Sequence, residues 1–173
     1  MTSSKKDMPR PPARLVMTTP EHLLAFGFGA GLAPFEPGTF GTLVGIPFFF
    51  ALAWLPLEAY LIAVGLLFVF GCWVCGASSR LLQVHDYPGF VFDEIVGYLV
   101  TCAVLIPGLG GPDWHRALGL LAAFVLFRLF DILKPWPIRL LDRHVHGGLG
   151  IMIDDAVAGA AAAVALWGLG RII

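Results

Sequence analysis

Charge is scarce in this sequence: only 13% of its 173 residues are Asp, Glu, Lys or Arg, while 58% are hydrophobic. The mean hydropathy of +0.82 exceeds what a soluble domain of this length needs, and lipid is the natural solvent for such a chain. No basic arm or recurring aromatic-basic face accompanies the net charge of −1, which excludes nucleic acid as a partner. Cysteine is also rare. The three present, Cys72, Cys75 and Cys102, sit in apolar runs, an odd number that excludes a disulfide framework and reads as core thiols. Cys72 and Cys75 form a C-x-x-C pair but lack the second pair or histidines of a zinc site. The first twenty residues lack the apolar core and cleavage site of a signal peptide. With Lys5, Lys6, Arg10 and Arg14 among prolines, residues 1–20 read as a flexible cytoplasmic tail, followed by a membrane-embedded domain over 21–173.

Long apolar runs are what the sequence does have. Five can be drawn, over 43–55, 57–77, 91–109, 117–133 and 149–170, most near the roughly 20 residues that a bilayer-crossing helix requires. The prediction is an all-α, polytopic membrane bundle of four to five transmembrane helices. The first run is short, and Pro37, Gly38, Gly41, Gly45 and Pro47 make its start irregular, so it is either a half-span or a helix that begins earlier. Positive loops stay in the cytoplasm. An inside N-terminus and five crossings place Lys5, Lys6, Arg10, Arg14, Arg80, Lys134, Arg139 and Arg143 on that side, leave Arg116 and Arg171 outside, and set Arg128 within a span.

This topology gathers the polar residues of the runs on one face. His85, Asp86, Asp93 and Glu94 fall where the third span leaves the cytoplasm, Arg128 and Asp131 where the fourth returns, and Asp154 and Asp155 where the fifth leaves. A carboxylate at the centre of a span costs roughly 2.5–3.5 kcal/mol even on mild insertion scales, so several together require compensation. Arg128 and Asp131, three apart, can pair on a helix. The other acids are too many for one arginine, and an all-oxygen set suits magnesium or manganese better than zinc. Taken singly, Asp93–Glu94 and Asp154–Asp155 also read as acids opening helices and offsetting the dipole. Lys134, Arg139, Arg143, His144 and His146 form a basic loop able to hold a phosphate, or serve only as topogenic charge. Two glycine-rich segments, 37–42 with Thr39 and 146–150, lead into apolar helices whose backbone N–H groups can cradle an anion.

The familiar phosphatase signatures are missing. Cys75 and Arg80 are one residue too close for a C-x5-R loop, and there is no D-x-D-x-T run, K-x6-R-P motif or P-loop. The residues favour an activated water attacking phosphorus, with an aspartyl-phosphate step as the alternative.

The strings G-L-A-P-F-E-P-G-T-F-G-T at 31–42, V-H-D at 84–86 and V-F-D-E-I-V-G at 91–97 carry a family resemblance. It is strongest in F-R-L-F-D-I-L-K-P-W-P-I-R at 127–139 and L-D-R-H-V-H-G-G-L-G-I-M-I-D-D-A-V-A-G at 141–159. From about residue 24 to 170 the sequence resembles phosphatidylglycerophosphatase A. The resemblance implies a magnesium-dependent phosphatase of the bacterial inner membrane, converting phosphatidylglycerophosphate to phosphatidylglycerol at the cytoplasmic face. Its partner would be the anionic phospholipid substrate in the bilayer. Carried onto this sequence, it implies Asp93, Glu94, Asp131, Asp154 and Asp155 around Mg2+ and Asp86 as ligand or base. Arg128, Lys134 and Arg139 would face the phosphate, with Thr39, His85 and His146 as further substrate contacts. Two rivals exist: an ion-coupled transporter, for which no polar path or inverted repeat is visible, and a CDP-alcohol phosphotransferase, whose D-x2-D-G-x2-A-R signature is absent.

Overall fold

A computed structural model describes residues 10–84, 87–108, 113–136, 138 and 145–170. Every element among them is helical, as the apolar runs predict. Two short helices, α1 (Ala13–Thr18) and α2 (Pro20–Ala25), lead through a tight 3-10 segment, Gly27–Leu32, into α3 (Pro37–Leu52). There follow α4 (Leu57–Leu82), α5 (Phe92–Cys102) running into a 3-10 segment Ala103–Gly108, α6 (Asp113–Leu133) and α7 (Gly147–Leu169).

The boundaries refine the sequence reading where proline and glycine intervene. The helix expected over 43–55 begins at Pro37, because proline suits the first turn of a helix and the glycines behind it are tolerated by packing. Regular α-helix expected over 91–109 ends at Cys102, and 3-10 geometry continues to Gly108. The acids of α7 are a larger correction. Asp93 and Glu94 do stand in the first turn of α5. Asp154 and Asp155 do not open a helix: α7 starts at Gly147, so they lie in its third turn, beyond the useful reach of the helix dipole.

α7 is the hub of the bundle, packed against α4, α5 and α6, while α3 lies on α5. Close approach of α5 and α7 depends on two glycines. A Cβ on Gly159 would collide with the backbone of Gly97, and one on Gly97 would meet the Asp155 carbonyl and the Phe127 ring. At this crossing the Thr101 hydroxyl lies 3.1 Å from both the Gly97 and the Gly159 carbonyl oxygens, tying the helices where their backbones touch. Tyr60, Tyr98, Phe49, Phe127, Ile95 and Met152 fill the surrounding core.

The exterior is apolar and several of the buried groups are polar, an inversion that lipid surroundings explain. Trp54, Ile62, Leu66, Val69, Leu121, Ile132 and Val164 are exposed, whereas His22, Thr42, Ser78, Thr101, Asp154 and Asp155 are buried. Two helices are long and apolar enough to cross a membrane, Leu57–Leu82 with mean hydropathy 2.2 and Gly147–Leu169 with 1.8, and α3 is a shorter apolar helix. The chain is therefore read as membrane-associated.

The N-terminal helices are docked onto this bundle. His22 Nδ1 lies 2.7 Å from Ser78 Oγ of α4 in a buried pair, and burial lowers the imidazole pKa from its ordinary value, against the opposing pull of Glu21. One turn on, the Val91 amide donates to the Ala25 carbonyl at 2.9 Å and fixes where α5 begins. The acids that follow Val91 are thus set in place by the N-terminal helices.

Candidate active site

Asp93 and Glu94 are adjacent in the first turn of α5, with the Glu94 amide donating to Asp93 Oδ1 at 3.1 Å. The glycine crossing brings α7 alongside, and Asp155 then faces both. One carboxylate oxygen from each of Asp93, Glu94 and Asp155 lies within 4.8 Å of the others. At that separation each ionised pair repels by on the order of 3 kcal/mol for an effective dielectric constant near 20. Asp155 is only 4% exposed, so water can relieve little of this.

Among the described residues, two cations border the triad. Arg128 donates from Nη1 to Asp131 Oδ2 at 2.5 Å, the three-residue pairing expected on a helix, and the same nitrogen lies 3.8 Å from Glu94 Oε1. Its Nη2 lies 3.8 Å from Glu36 Oε2. Lys134 ends α6 in the left-handed region, φ 40°, and its ammonium donates to Asp154 Oδ2 of α7. Among the described residues, five carboxylates, Asp93, Glu94, Asp131, Asp154 and Asp155, thus lie around Arg128 and Lys134. Glu94 Oε2 and Arg128 Nε are buried without a hydrogen-bond partner among the described residues. A carboxylate with a buried oxygen left without a donor, in a residue grouped with two further acids, fits a metal ion. Asp93, Glu94 and Asp155 could hold one.

α3 closes one side of the site. A Cβ on Gly38 would overlap Glu94 Oε1 and stand 2.8 Å from Arg128 Nη1, so only glycine lets this helix start pass so near them. Those are the ends of flexible side chains, which can move without disturbing the backbone. Gly38→Ala is therefore expected to fold normally, with a thermal midpoint within about 2 °C of the parent. Displacing Glu94 and Arg128 should nonetheless lower turnover about tenfold or more, a separation that unfolding and activity measured on one preparation would check.

The structure thus joins seven of the residues predicted from sequence: Asp93, Glu94, Asp131, Asp154, Asp155, Arg128 and Lys134. Thr39 is half-buried in the first turn of α3, one residue beyond Gly38. His146 is exposed just ahead of α7, about 12 Å along the helix from Asp154. His85, Asp86 and Arg139 lie outside the described residues. Glu36 was not predicted. Its one local sign is an acid directly before Pro-Gly at a helix start, which reads as an ordinary helix-end charge.

An apolar helical bundle around a buried, cation-competent carboxylate centre, flanked by a guanidinium and an ammonium, defines a class: membrane-associated proteins able to bring a metal ion and an anion together. The chain belongs to the phosphatidylglycerophosphatase A family, whose match spans residues 23–170 and so includes every residue of that centre. It is 44% identical over 159 residues to phosphatidylglycerophosphatase A of Escherichia coli (strain K12), covering 92% of this chain and 88% of that protein. Identity to the Haemophilus influenzae protein of the same name is 41% over 160 residues, covering 92% and 94%. A Bacteroides thetaiotaomicron protein named provisionally as a phosphatidylinositol-3-phosphatase is 40% identical over 162 residues, covering 86% and 94%. No solved structure matches the chain.

Proposed function

We propose that this protein is a magnesium-dependent phosphatidylglycerophosphatase, hydrolysing the terminal phosphomonoester of phosphatidylglycerophosphate to phosphatidylglycerol and inorganic phosphate. The observation that carries the reading is the meeting of Asp93, Glu94 and Asp155 beside Arg128, within a chain of this family. Both curated relatives of that name are matched over nearly their whole length. The transporter and phosphotransferase readings gain nothing from these relatives.

In this reading Asp93, Glu94 and Asp155 hold the ion, and the oxygen-only donor set favours magnesium. When bound, the ion supplies Lewis acidity that offsets charge on the phosphoryl oxygens. Arg128 and Lys134 would receive phosphoryl oxygens, and Asp131 and Asp154 hold those two cations in position. Water attacks phosphorus in line and the lipid alcohol departs. Burial of the carboxylates keeps the reacting group away from bulk water, where the two cations would be worth far less.

The site lies at the cytoplasmic face of the bacterial inner membrane, with the N-terminus inside and the chain multi-pass. Helix lengths support the multi-pass part of this reading. α4 and α7 run about 39 and 35 Å, and α5 with its 3-10 continuation extends about 28 Å, each near the thickness of a hydrocarbon core.

Purified protein in vesicles should release phosphate from phosphatidylglycerophosphate with Mg2+ and lose about 10³-fold in rate when the ion is chelated. Phosphatidylinositol 3-phosphate, assayed alongside, should be a much poorer substrate. Equal rates with and without chelator would overturn the metal assignment, and a preference for the inositol lipid would overturn the substrate.

A further inference from the structure

Arg128 offers its two terminal nitrogens to opposite sides. Nη1 faces inward, to Asp131 and Glu94, carboxylates whose side chains are 12% and 13% exposed. Nη2 faces Glu36, whose side chain is 72% exposed. The inward contacts belong to a buried network; the outward one lies at the surface of the bundle. An anion arriving from outside the bundle therefore meets a guanidinium nitrogen that already has a carboxylate beside it.

Glu36 is also unusual in its backbone. It sits at φ 43°, ψ 59°, a left-handed conformation uncommon for a long side chain, at the residue that starts α3. Such conformations persist where the surroundings fix them. Here Pro37 sets the first turn of α3 and the start of the helix is pressed against Glu94 and Arg128 through Gly38. The carboxylate is delivered to Nη2 by the path of the backbone, while its own exposure leaves it able to swing away.

We propose that Glu36 is a displaceable carboxylate that stands in for substrate phosphate on Arg128 Nη2 and sets how readily the site admits anions. The role rests on the phosphatase reading for its substrate, though not for its physics. An exposed ion pair at 3.8 Å is weak and screened by salt, so a phosphomonoester dianion can replace it, whereas a singly charged anion competes less well. Glu36 would thus act as a filter at the mouth of the site and take no part in the chemical step.

The test is Glu36→Gln, which keeps shape and removes charge. Thermal unfolding should match the parent, since the residue is exposed. In vesicles with Mg2+, KM for phosphatidylglycerophosphate should fall about two- to fivefold and inhibition by inorganic phosphate should tighten by a similar factor, with kcat within about twofold. The difference between parent and variant should shrink between about 0.02 and 0.5 M salt. Glu36→Asp, with its charge retained on a shorter stem, should fall between the two.

Unchanged KM and phosphate inhibition would overturn the proposal. So would a fall in kcat at constant KM, because that identifies Glu36 as a support that positions Arg128. Binding of inorganic phosphate followed by calorimetry separates this from the functional reading. Parent protein that releases no phosphate from lipid refutes the phosphatase assignment, yet tighter phosphate binding by Glu36→Gln would still uphold the filter, and equal binding would sink it.

Discussion

Asparagine in place of Asp93 or Asp155 is expected to reduce phosphate release about 10³-fold or more while leaving the bundle folded. The substitution keeps the volume of the side chain and removes one of three negative charges that lie within 4.8 Å of one another. Without metal, crowding of the three acids disfavours charge on all of them at once, so Asp155→Asn, which removes one acid, should be at least as stable as the parent in chelator. With metal the order should reverse. A ligand that binds only the folded state stabilises it by RT ln(1 + [L]/Kd), and this gain should be present in the parent and nearly absent in the variants. Thermal midpoints measured with chelator and with a Mg2+ series give a readout independent of turnover. Equal midpoint increases in parent and Asp155→Asn would show that Asp155 does not hold the ion.

Valine at Gly159 is expected to produce the largest loss of fold. Its Cβ would sit 3.0 Å from the Gly97 carbonyl carbon and closer still to the oxygen, and both atoms belong to backbone that has no rotamer through which to retreat. Overpacking a core usually costs about 1–3 kcal/mol, and a backbone-on-backbone collision belongs at or above the top of that range. The helices must separate. Asp155 would then leave Asp93 and Glu94, so activity should vanish together with the cooperative unfolding transition. Gly65→Val is the control, because nothing lies within 4 Å of a Cβ there. That variant should unfold within about 3 °C of the parent and keep full turnover, which separates crowding at one crossing from intolerance of valine in helices generally.

Much of this architecture is legible in the apolar runs, since a bilayer-scale stretch such as 57–77 leaves little choice but helix. What the runs could not convey was depth. Asp154–Asp155 read as acids opening a helix although the apolar run already begins at 149, and α7 in fact starts at Gly147, two turns ahead of them. The site divides along the same line. Arg128 and Asp131 could be paired from a spacing of three, because helix geometry makes them neighbours. Lys134 with Asp154 spans twenty residues and two helices, so the partnership exists only once α6 and α7 have docked. Glu36 was missed for the same reason: its approach to Arg128 comes from the placement of α3, and no local rule connects residues so far apart.

The position of α7 at the centre of the bundle also bears on how the protein is made. Asp154 and Asp155 would be costly guests in lipid by themselves, and they are carried by the last described helix to leave the ribosome. By then α4, α5 and α6 have already been synthesised, and Lys134 awaits Asp154. With α7 spanning the membrane as proposed above, translation order spares the two acids a solitary passage, and a chain rearranged so that α7 emerged first would have to insert them with no partner at hand.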